Sequence, residues 1–160
     1  MLVGDSFVGV AADTQNYGLY LTDTWSLTKA LSLTLSGRFN HTEIELRDRL
    51  GTGLNGDHTF NRFNLAVAAT YEFAPELSMY AAYNESNRAP TAVELTCADA
   101  NDPCRLPNAF LADPPLNDVV AKTVEAGVRG NWRGIDYNLT VFNTVNQDDI
   151  IFVSAGTRLF

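Results

Sequence analysis

Long apolar runs are missing from this sequence of 160 residues. A typical clean apolar stretch is that of residues 65–69, whereas a membrane-spanning helix needs about 20 consecutive apolar residues. A transmembrane helix is therefore excluded. Membrane-spanning β-strands are not excluded, because they alternate apolar and polar side chains.

Basic residues are scarce. The chain has 11 Lys and Arg against 19 Asp and Glu, which gives a formal net charge of −8. Nucleic-acid binding depends on clustered Lys and Arg that displace counterions from phosphates, so we expect no nucleic-acid partner. Hydrophobic residues nevertheless make up 46% of the chain, which excludes a disordered protein.

Motifs of catalysis and metal binding are also missing. The sequence has no nucleophile elbow, no Cys-x-x-Cys and no His-Glu-x-x-His, so we expect no enzyme activity, no resident metal and no cofactor. Residues 51–56 spell Gly-x-Gly-x-x-Gly, but charged residues precede them where a nucleotide-binding unit needs a buried strand. We predict a solvated loop, with His41 and His58 at or near it.

Few features of the chain indicate a cellular compartment. Residues 1–5 carry no basic segment and no apolar core follows, so we predict either a cytoplasmic protein or an internal fragment. Cys97 and Cys104 lie in a polar, proline-containing stretch. Two thiols without a nearby His supply only half of a zinc site, and we predict a short disulfide in an oxidising compartment instead.

Apolar residues recur with a period of two over much of the chain, which is typical of β-strands. Leu31, Leu33 and Leu35, for example, alternate with Ser and Thr. The six predicted strands cover residues 17–27, 31–40, 63–73, 77–86, 123–129 and 137–141. Six successive segments of this kind predict an all-β fold, an antiparallel meander of about six strands.

The connections between these segments alternate in length. Short turns fall at residues 28–30, 74–76 and 131–134, and long polar loops at about residues 47–59 and 87–120. In a meander every second connection emerges at the same end, so the short turns gather at one end and the long loops at the other. Bacterial outer-membrane barrels have this asymmetry.

Aromatic residues mark both ends of the apolar face. They are Trp25, Tyr71, Phe73 and Tyr137 near the short turns, and Tyr17, Phe39, Phe63 and Tyr83 towards the long loops. Two such belts match the two interfaces of a bilayer. A soluble β-sandwich has the same alternation and stays an alternative. Asp23 interrupts the apolar face, which indicates either a position near the short turns or a slip in register.

Two segments carry a more specific pattern. Residues 80–95 contain an Arg-Ala-Pro step followed closely by Glu-Leu, and residues 125–129 read Glu-Ala-Gly-Val-Arg. Both segments resemble the barrel of TonB-dependent outer-membrane receptors, and Cys97 and Cys104 resemble the loop cysteine pair of one subgroup. The residues that match the family pattern are Arg88, Ala89, Pro90, Glu94, Leu95, Glu125 and Gly127.

The resemblance implies that residues 1–160 form part of a 22-stranded barrel in the bacterial outer membrane. It implies uptake of a scarce ligand, such as a ferric siderophore, haem or cobalamin, driven by TonB through a plug domain. The implied partners are outer-membrane lipid, TonB and a small iron chelate or similar ligand. The sequence shows no plug and no TonB box, and six strands cannot close around a plug, so we expect an internal fragment.

The candidates for ligand binding are arginines, because a guanidinium presents a planar fork to carboxylate or catecholate oxygens. They are Arg88, Arg105 and Arg129. The alternative is a structural role: Arg88 pins the Arg-Ala-Pro bend, and Arg129 pairs with Glu125 or with another residue inside the barrel. Two other functions stay open, a passive outer-membrane barrel without energy coupling and a soluble extracellular β-sandwich that binds a ligand.

Overall fold

One antiparallel sheet makes up almost all of the fold. The computed structural model describes residues 9–96 and 116–149. Its elements are β1 (Val10–Ser26), β2 (Leu31–Asp48), β3 (Gly56–Ala74), β4 (Leu77–Arg88), α1 (Ala92–Thr96), β5 (Val119–Trp132) and β6 (Ile135–Gln147). The strands follow the order β1-β2-β3-β4-β5-β6, and each antiparallel pair is adjacent in the chain. The predicted six-stranded meander is confirmed, and the β-sandwich alternative is wrong because all the described strands share one sheet.

The strands are longer than the predicted segments. The loop predicted over residues 47–59 covers only residues 49–55, because backbone pairing continues to Val10 opposite Asp48 and Leu46 opposite Gly56. The short helix α1 was not predicted, since five residues are too few to show a helical period. The short turns are confirmed close to their predicted positions.

The loop prediction for the Gly-x-Gly-x-x-Gly segment is also confirmed. Residues 49–55 join two strands, and Gly56 begins β3 rather than a helix. His41 and His58 lie in the two strands that flank this loop. No group of three His, Cys, Asp or Glu residues within the described ranges is arranged to hold a metal ion.

Cross-strand pairing keeps the apolar side chains of the sheet on one face. Leu35 of β2 lies opposite Val67 of β3, Val67 opposite Tyr83 of β4, and Tyr83 opposite Val124 of β5. At the edge of the sheet, Leu21 on the same face is 77% exposed. A continuous exposed apolar surface of this kind marks a membrane or protein contact, and the length of its rows and the aromatic residues at their ends match a membrane. We call it the lipid-facing side, and the other face the inner face.

The apolar rows fit the length of a membrane strand. On β2 the row covers residues 31–39 and on β3 residues 63–71, and a tilted membrane strand needs about 9–11 residues. Phe39 and Phe63 pair directly at the long-loop end. Tyr71 and Phe73 pack edge to face at the short-turn end, with ring centroids 4.8 Å apart. These positions are those of aromatic belts at the two membrane interfaces.

Beyond the long-loop belt the apolar and polar faces exchange places. On the lipid-facing side of β2 the side chains become polar, with His41, Glu43 and Glu45, whereas Ile44 and Leu46 on the inner face are buried. Apolar and polar residues still alternate in this part of β2, but here the apolar residues face inward and the polar residues face outward. The long strands therefore leave the lipid and extend past it with a polar outside and an apolar inside.

Asp23 lies on the lipid-facing side, opposite Leu35 and close to the end of β1 at Ser26. The register is continuous from one end of the β1–β2 ladder to the other, so no slip occurs. Leu35 is the middle of the β2 apolar row, so the pairing places Asp23 within the row and not at its short-turn end. The Asp23 carboxylate accepts a 2.8 Å hydrogen bond from the backbone N–H of Thr24, which lowers the cost of a charge on this side of the sheet.

The inner face within the membrane rows is lined by small and hydroxyl side chains. The hydroxyls of Thr22 and Ser36 hydrogen-bond at 2.7 Å, and those of Thr123 and Thr144 at 2.9 Å. Cross-strand hydroxyl pairs of this kind stabilise the pairing of neighbouring strands. Over the ranges that the structure describes, no helix is long and apolar enough to cross a membrane.

Gly127 lets an aromatic ring cross β5 on the inner face. The hydroxyl of Tyr80, on β4, hydrogen-bonds the hydroxyl of Thr140, on β6, so the ring passes over the strand between them. A Cβ added at Gly127 would lie 2.7 Å from this ring. Glycine at this position therefore allows a side-chain bond between strands that are not neighbours.

Val67→Arg tests the assignment of the lipid-facing side. Because Val67 lies at the centre of its apolar row, opposite Leu35 and Tyr83, arginine there should cost about 2–4 kcal/mol of stability. Ala68→Arg, one residue away on the inner face, is the matched control and should cost much less. The free energy of unfolding in lipid vesicles measures both, and equal costs would contradict the assignment of the faces.

Gly127→Ala tests the close contact with Tyr80. The new methyl must displace the ring, which should destabilise the sheet by about 1–3 kcal/mol. In a Tyr80→Ala background the same substitution should cost nearly nothing, because the ring is gone. A double-mutant cycle on the free energy of unfolding measures the coupling, and additive costs would refute the contact.

Candidate functional site

After β4 the chain folds inward and packs on the inner face of β2. We call residues 89–96 the inner shelf. Leu95 is buried against Ile44 and Leu46. Pro90 is among the few fully buried side chains. The partly buried residues around this cluster are Val10, Phe60, Ala89, Ala92 and Leu116. The inverted alternation at the top of β2 thus provides the apolar surface on which the inner shelf rests.

Hydrogen bonds at the start of α1 fix the shape of the inner shelf. The Glu94 carboxylate accepts a 2.6 Å bond from the backbone N–H of Thr91, and the Thr91 hydroxyl oxygen accepts a 3.4 Å bond from the backbone N–H of Glu94. This reciprocal pair is a capping box, which satisfies two backbone donors at the beginning of a helix. It explains how a helix of only five residues forms here.

Arg88 joins the inner shelf to the end of β4. Its two terminal nitrogens donate to the two oxygens of Glu94, at 2.8 Å and 3.2 Å. The Glu94 side chain is only 5% exposed, whereas that of Arg88 is 45% exposed. A two-point contact fixes the angle between strand and shelf, because a guanidinium and a carboxylate match in only a few orientations.

Burial and hydrogen bonding act on the Glu94 carboxyl in opposite directions. Burial raises its pKa, but hydrogen bonds from Arg88 and Thr91 outweigh that effect, and the pKa lies below its ordinary value of 4.5. Glu94 is therefore ionised in the folded protein at neutral pH. Burial raises the pKa of Asp118, which lies just before β5, although a hydrogen bond from Asn87 acts against this.

Asn87 links three parts of the site. Its Oδ1 accepts hydrogen bonds from Asn40 of β2 at 2.8 Å and from Asn64 of β3 at 2.6 Å. Its Nδ2 donates to Asp118 at 3.3 Å. The side chain of one residue thereby connects β2, β3 and the start of β5.

These contacts fill a place where two strands separate. The β3–β4 ladder begins at Ala66 opposite Asn84, so β3 above this point pairs only with β2. The Glu85 carboxylate accepts a hydrogen bond from the backbone of Leu65 and a 2.6 Å bond from the Tyr83 hydroxyl. Hydrogen bonds from side chains here replace the backbone hydrogen bonds that join neighbouring strands elsewhere in the sheet.

A groove of about 690 Å³ lies between the inner shelf and the inner face of β1 and β2. Its wall carries Arg38 and Asn40 from β2, and Thr14 and Asn16 from β1. Its volume falls within the range of small-molecule sites, about 300–1,000 Å³. The groove lies at the long-loop end of the sheet, and its lining includes the belt residue Tyr17.

The family model described as "TonB dependent receptor-like, beta-barrel" matches residues 4–160. The chain belongs to the TonB-dependent receptor family. No curated protein matches the chain.

A solved structure shows the same fold. The alcaligin outer-membrane receptor FauA from Bordetella pertussis is similar over 86% of this chain, with a TM-score of 0.65 and 16% sequence identity. The similar region is 21% of the FauA chain, so this chain spans about a fifth of that receptor's length.

Membership of the TonB-dependent receptor family places the chain in the bacterial outer membrane. The lipid-facing side therefore contacts outer-membrane lipid, and the long-loop end is the outer end. The family is one of transport receptors rather than of enzymes. The fold predicted from the resemblance is confirmed as the family's β-barrel domain.

The structure places the predicted ligand-binding arginines of this TonB-dependent receptor in different settings. Arg88 pins the Arg-Ala-Pro bend through Glu94. Arg129 lies towards the short turns, where its Nε donates to Ser78 at 3.2 Å and its guanidinium lies 5.9 Å from the Tyr80 ring centroid. Arg105 lies outside the described residues. The proposed disulfide partners, Cys97 and Cys104, also lie outside them.

Two residues of the groove were missed as candidates. Arg38 and Asn40 both alternate with the apolar row of β2, and this alternation already placed them on the face opposite Phe39. The sequence did contain a signal for Arg38: it is an arginine within a strand, and most other residues on the same face of that strand are Ser or Thr. The role of Asn87 had no such signal, because its contacts depend on the separation of β3 and β4.

Glu94→Gln tests how the inner shelf is held. The amide keeps the capping geometry but removes the charge that Arg88 contacts, which should destabilise the shelf by about 1–3 kcal/mol. Glu45→Gln is the matched control: Glu45 pairs with Arg47 at the exposed surface, where an ion pair contributes about 0–1 kcal/mol. Amide hydrogen exchange of residues 88–96 measures the local stability.

The same contact predicts a pH dependence. Because the pKa of Glu94 is lower in the folded protein, its stabilisation is complete above pH 4.5 and is lost as the pH falls through the folded value. Exchange in residues 88–96, corrected for intrinsic rates, should rise on this acid side in the wild type and change less in Glu94→Gln. An identical acid profile in both proteins would contradict the role of Glu94.

Proposed function

We propose that this chain is part of a receptor that imports a scarce ligand across the outer membrane, with energy supplied by TonB. The ligand is a ferric siderophore or a similar small iron chelate. Binding occurs on the outer side, and a plug domain outside this chain couples it to TonB. Family membership and the fold shared with the alcaligin outer-membrane receptor FauA support the proposal.

The observation that carries the proposal is the position of the groove and the inner shelf. Both lie on the inner face at the long-loop end, on the side of the sheet away from lipid. There a capping box, an ion pair and a buried cluster hold a segment against the inner face of the wall, beside a groove of the size of small-molecule sites.

The test is ligand uptake in the source bacterium. Deletion of the reading frame that encodes this chain should abolish energy-dependent uptake of at least one radiolabelled ferric chelate from a panel, and complementation should restore it. A protonophore should stop the uptake, because TonB depends on the proton gradient of the inner membrane. Uptake that persists with the protonophore and rises linearly with concentration would instead indicate a passive barrel.

A further inference from the structure

Among residues 9–96 and 116–149, no acidic side chain lines the groove beside the inner shelf. Acidic residues make up 19 of the 160 in the chain, yet the charged residues that line the groove within those ranges are Arg38 and Arg88. In a protein with a net charge of −8, this groove is a local region of positive potential, which attracts anions.

The two arginines differ in whether their charge is neutralised. Arg88 forms the two-point ion pair with Glu94. Within residues 9–96 and 116–149, no carboxylate forms an ion pair with Arg38. The net positive charge of the groove therefore comes from Arg38.

Arg38 is also held in position. Its Nε donates a 2.6 Å hydrogen bond to Oδ1 of Asn40, and Asn40 in turn donates to Asn87. On the other side, the guanidinium lies against β1 at Gly18, where an added Cβ would be 2.5 Å from Nη2. A guanidinium fixed at Nε keeps its terminal nitrogens available as a fork, and little entropy is lost when an anion binds.

We propose that Arg38 binds an anionic oxygen group of the imported ligand, such as a carboxylate or catecholate, in this groove. The inference rests on the proposed function and adds a chemical class to it: the ligand carries a negative charge. Thr14 and Asn16 lie on the β1 wall of the groove and supply further polar contacts. Arg38 then makes the receptor specific for anionic ligands, through the positive charge and the planar, two-pronged shape of its guanidinium.

The test compares an anionic ferric tris-catecholate with a cationic ferric trihydroxamate. Dissociation constants are measured on outer membranes from the source bacterium, at matched receptor abundance. Arg38→Gln should weaken binding of the anionic probe about 10- to 100-fold, the range for a hydrogen bond to a charged group. Arg38→Lys should restore part of the affinity. The matched control Arg47→Gln, on the lipid-facing side beside Glu45 and Asp57, should leave it unchanged.

Asn16→Asp provides a second variant that leaves Arg38 intact. Asn16 is exposed on an edge strand and its Oδ1 accepts a hydrogen bond from Thr42, which aspartate preserves. The added negative charge should weaken binding of the anionic probe and not of the cationic one. This result would support the proposal even where Arg38→Gln lowers the amount of folded receptor.

The outcomes separate the two proposals. If wild-type membranes bind no ferric chelate of either charge, the proposed function fails. If they bind the anionic probe and Arg38→Gln and Asn16→Asp leave the dissociation constant unchanged, the role of Arg38 is overturned while the function stands. If Arg38→Gln leaves the dissociation constant unchanged but abolishes uptake, the role of Arg38 in ligand binding is also overturned. Arg38 would then pair with a carboxylate of the receptor itself.

Discussion

The structure depends on one constraint: a sheet with lipid on one side must pair every backbone group within itself and turn every second side chain away from the lipid. The pairing of successive strands meets the first condition for the four inner strands up to Ala66 and Asn84, where β3 and β4 separate and side chains replace the backbone ladder. The unbroken register between β1 and β2 meets the second and keeps Leu21 and Leu35 on the lipid-facing side. Strand pairing and alternation alone thereby define the inner face of the whole sheet.

The inversion of polarity above the aromatic belt then positions the site. Because Ile44 and Leu46 turn inward while their neighbours Glu43 and Glu45 face water, the wall acquires an apolar patch inside the barrel. The inner shelf packs on that patch, and the groove is the space left between the shelf and the wall. The same alternation thus serves lipid contact below the belt and a small core above it.

The sequence predicted the meander, the short turns and the lipid-facing side, since each depends on a period of two that is visible in the chain. It did not predict the upper parts of β2 and β3. The prediction followed a row of apolar residues on one face of each strand, and from His41 to Leu46 the apolar residues lie on the other face. It named Arg88 as a candidate but not Arg38. The difference between them lies in Glu94, which reaches Arg88 only through the turn at Pro90, and no local pattern reveals such a contact.

The inner shelf has a consequence for the order of assembly. Strands β1 to β4 are joined by short connections, so this part of the sheet can form hairpin by hairpin with little loop-closure entropy at each step. Strand β5 follows only after the long connection that contains the shelf. The contact of Leu95 with Ile44 and Leu46 joins residues separated by the whole of β3 and β4. The shelf therefore needs β2 in place before it can pack, and the shape of the groove depends on a contact that closes a longer segment of chain than any of these hairpins.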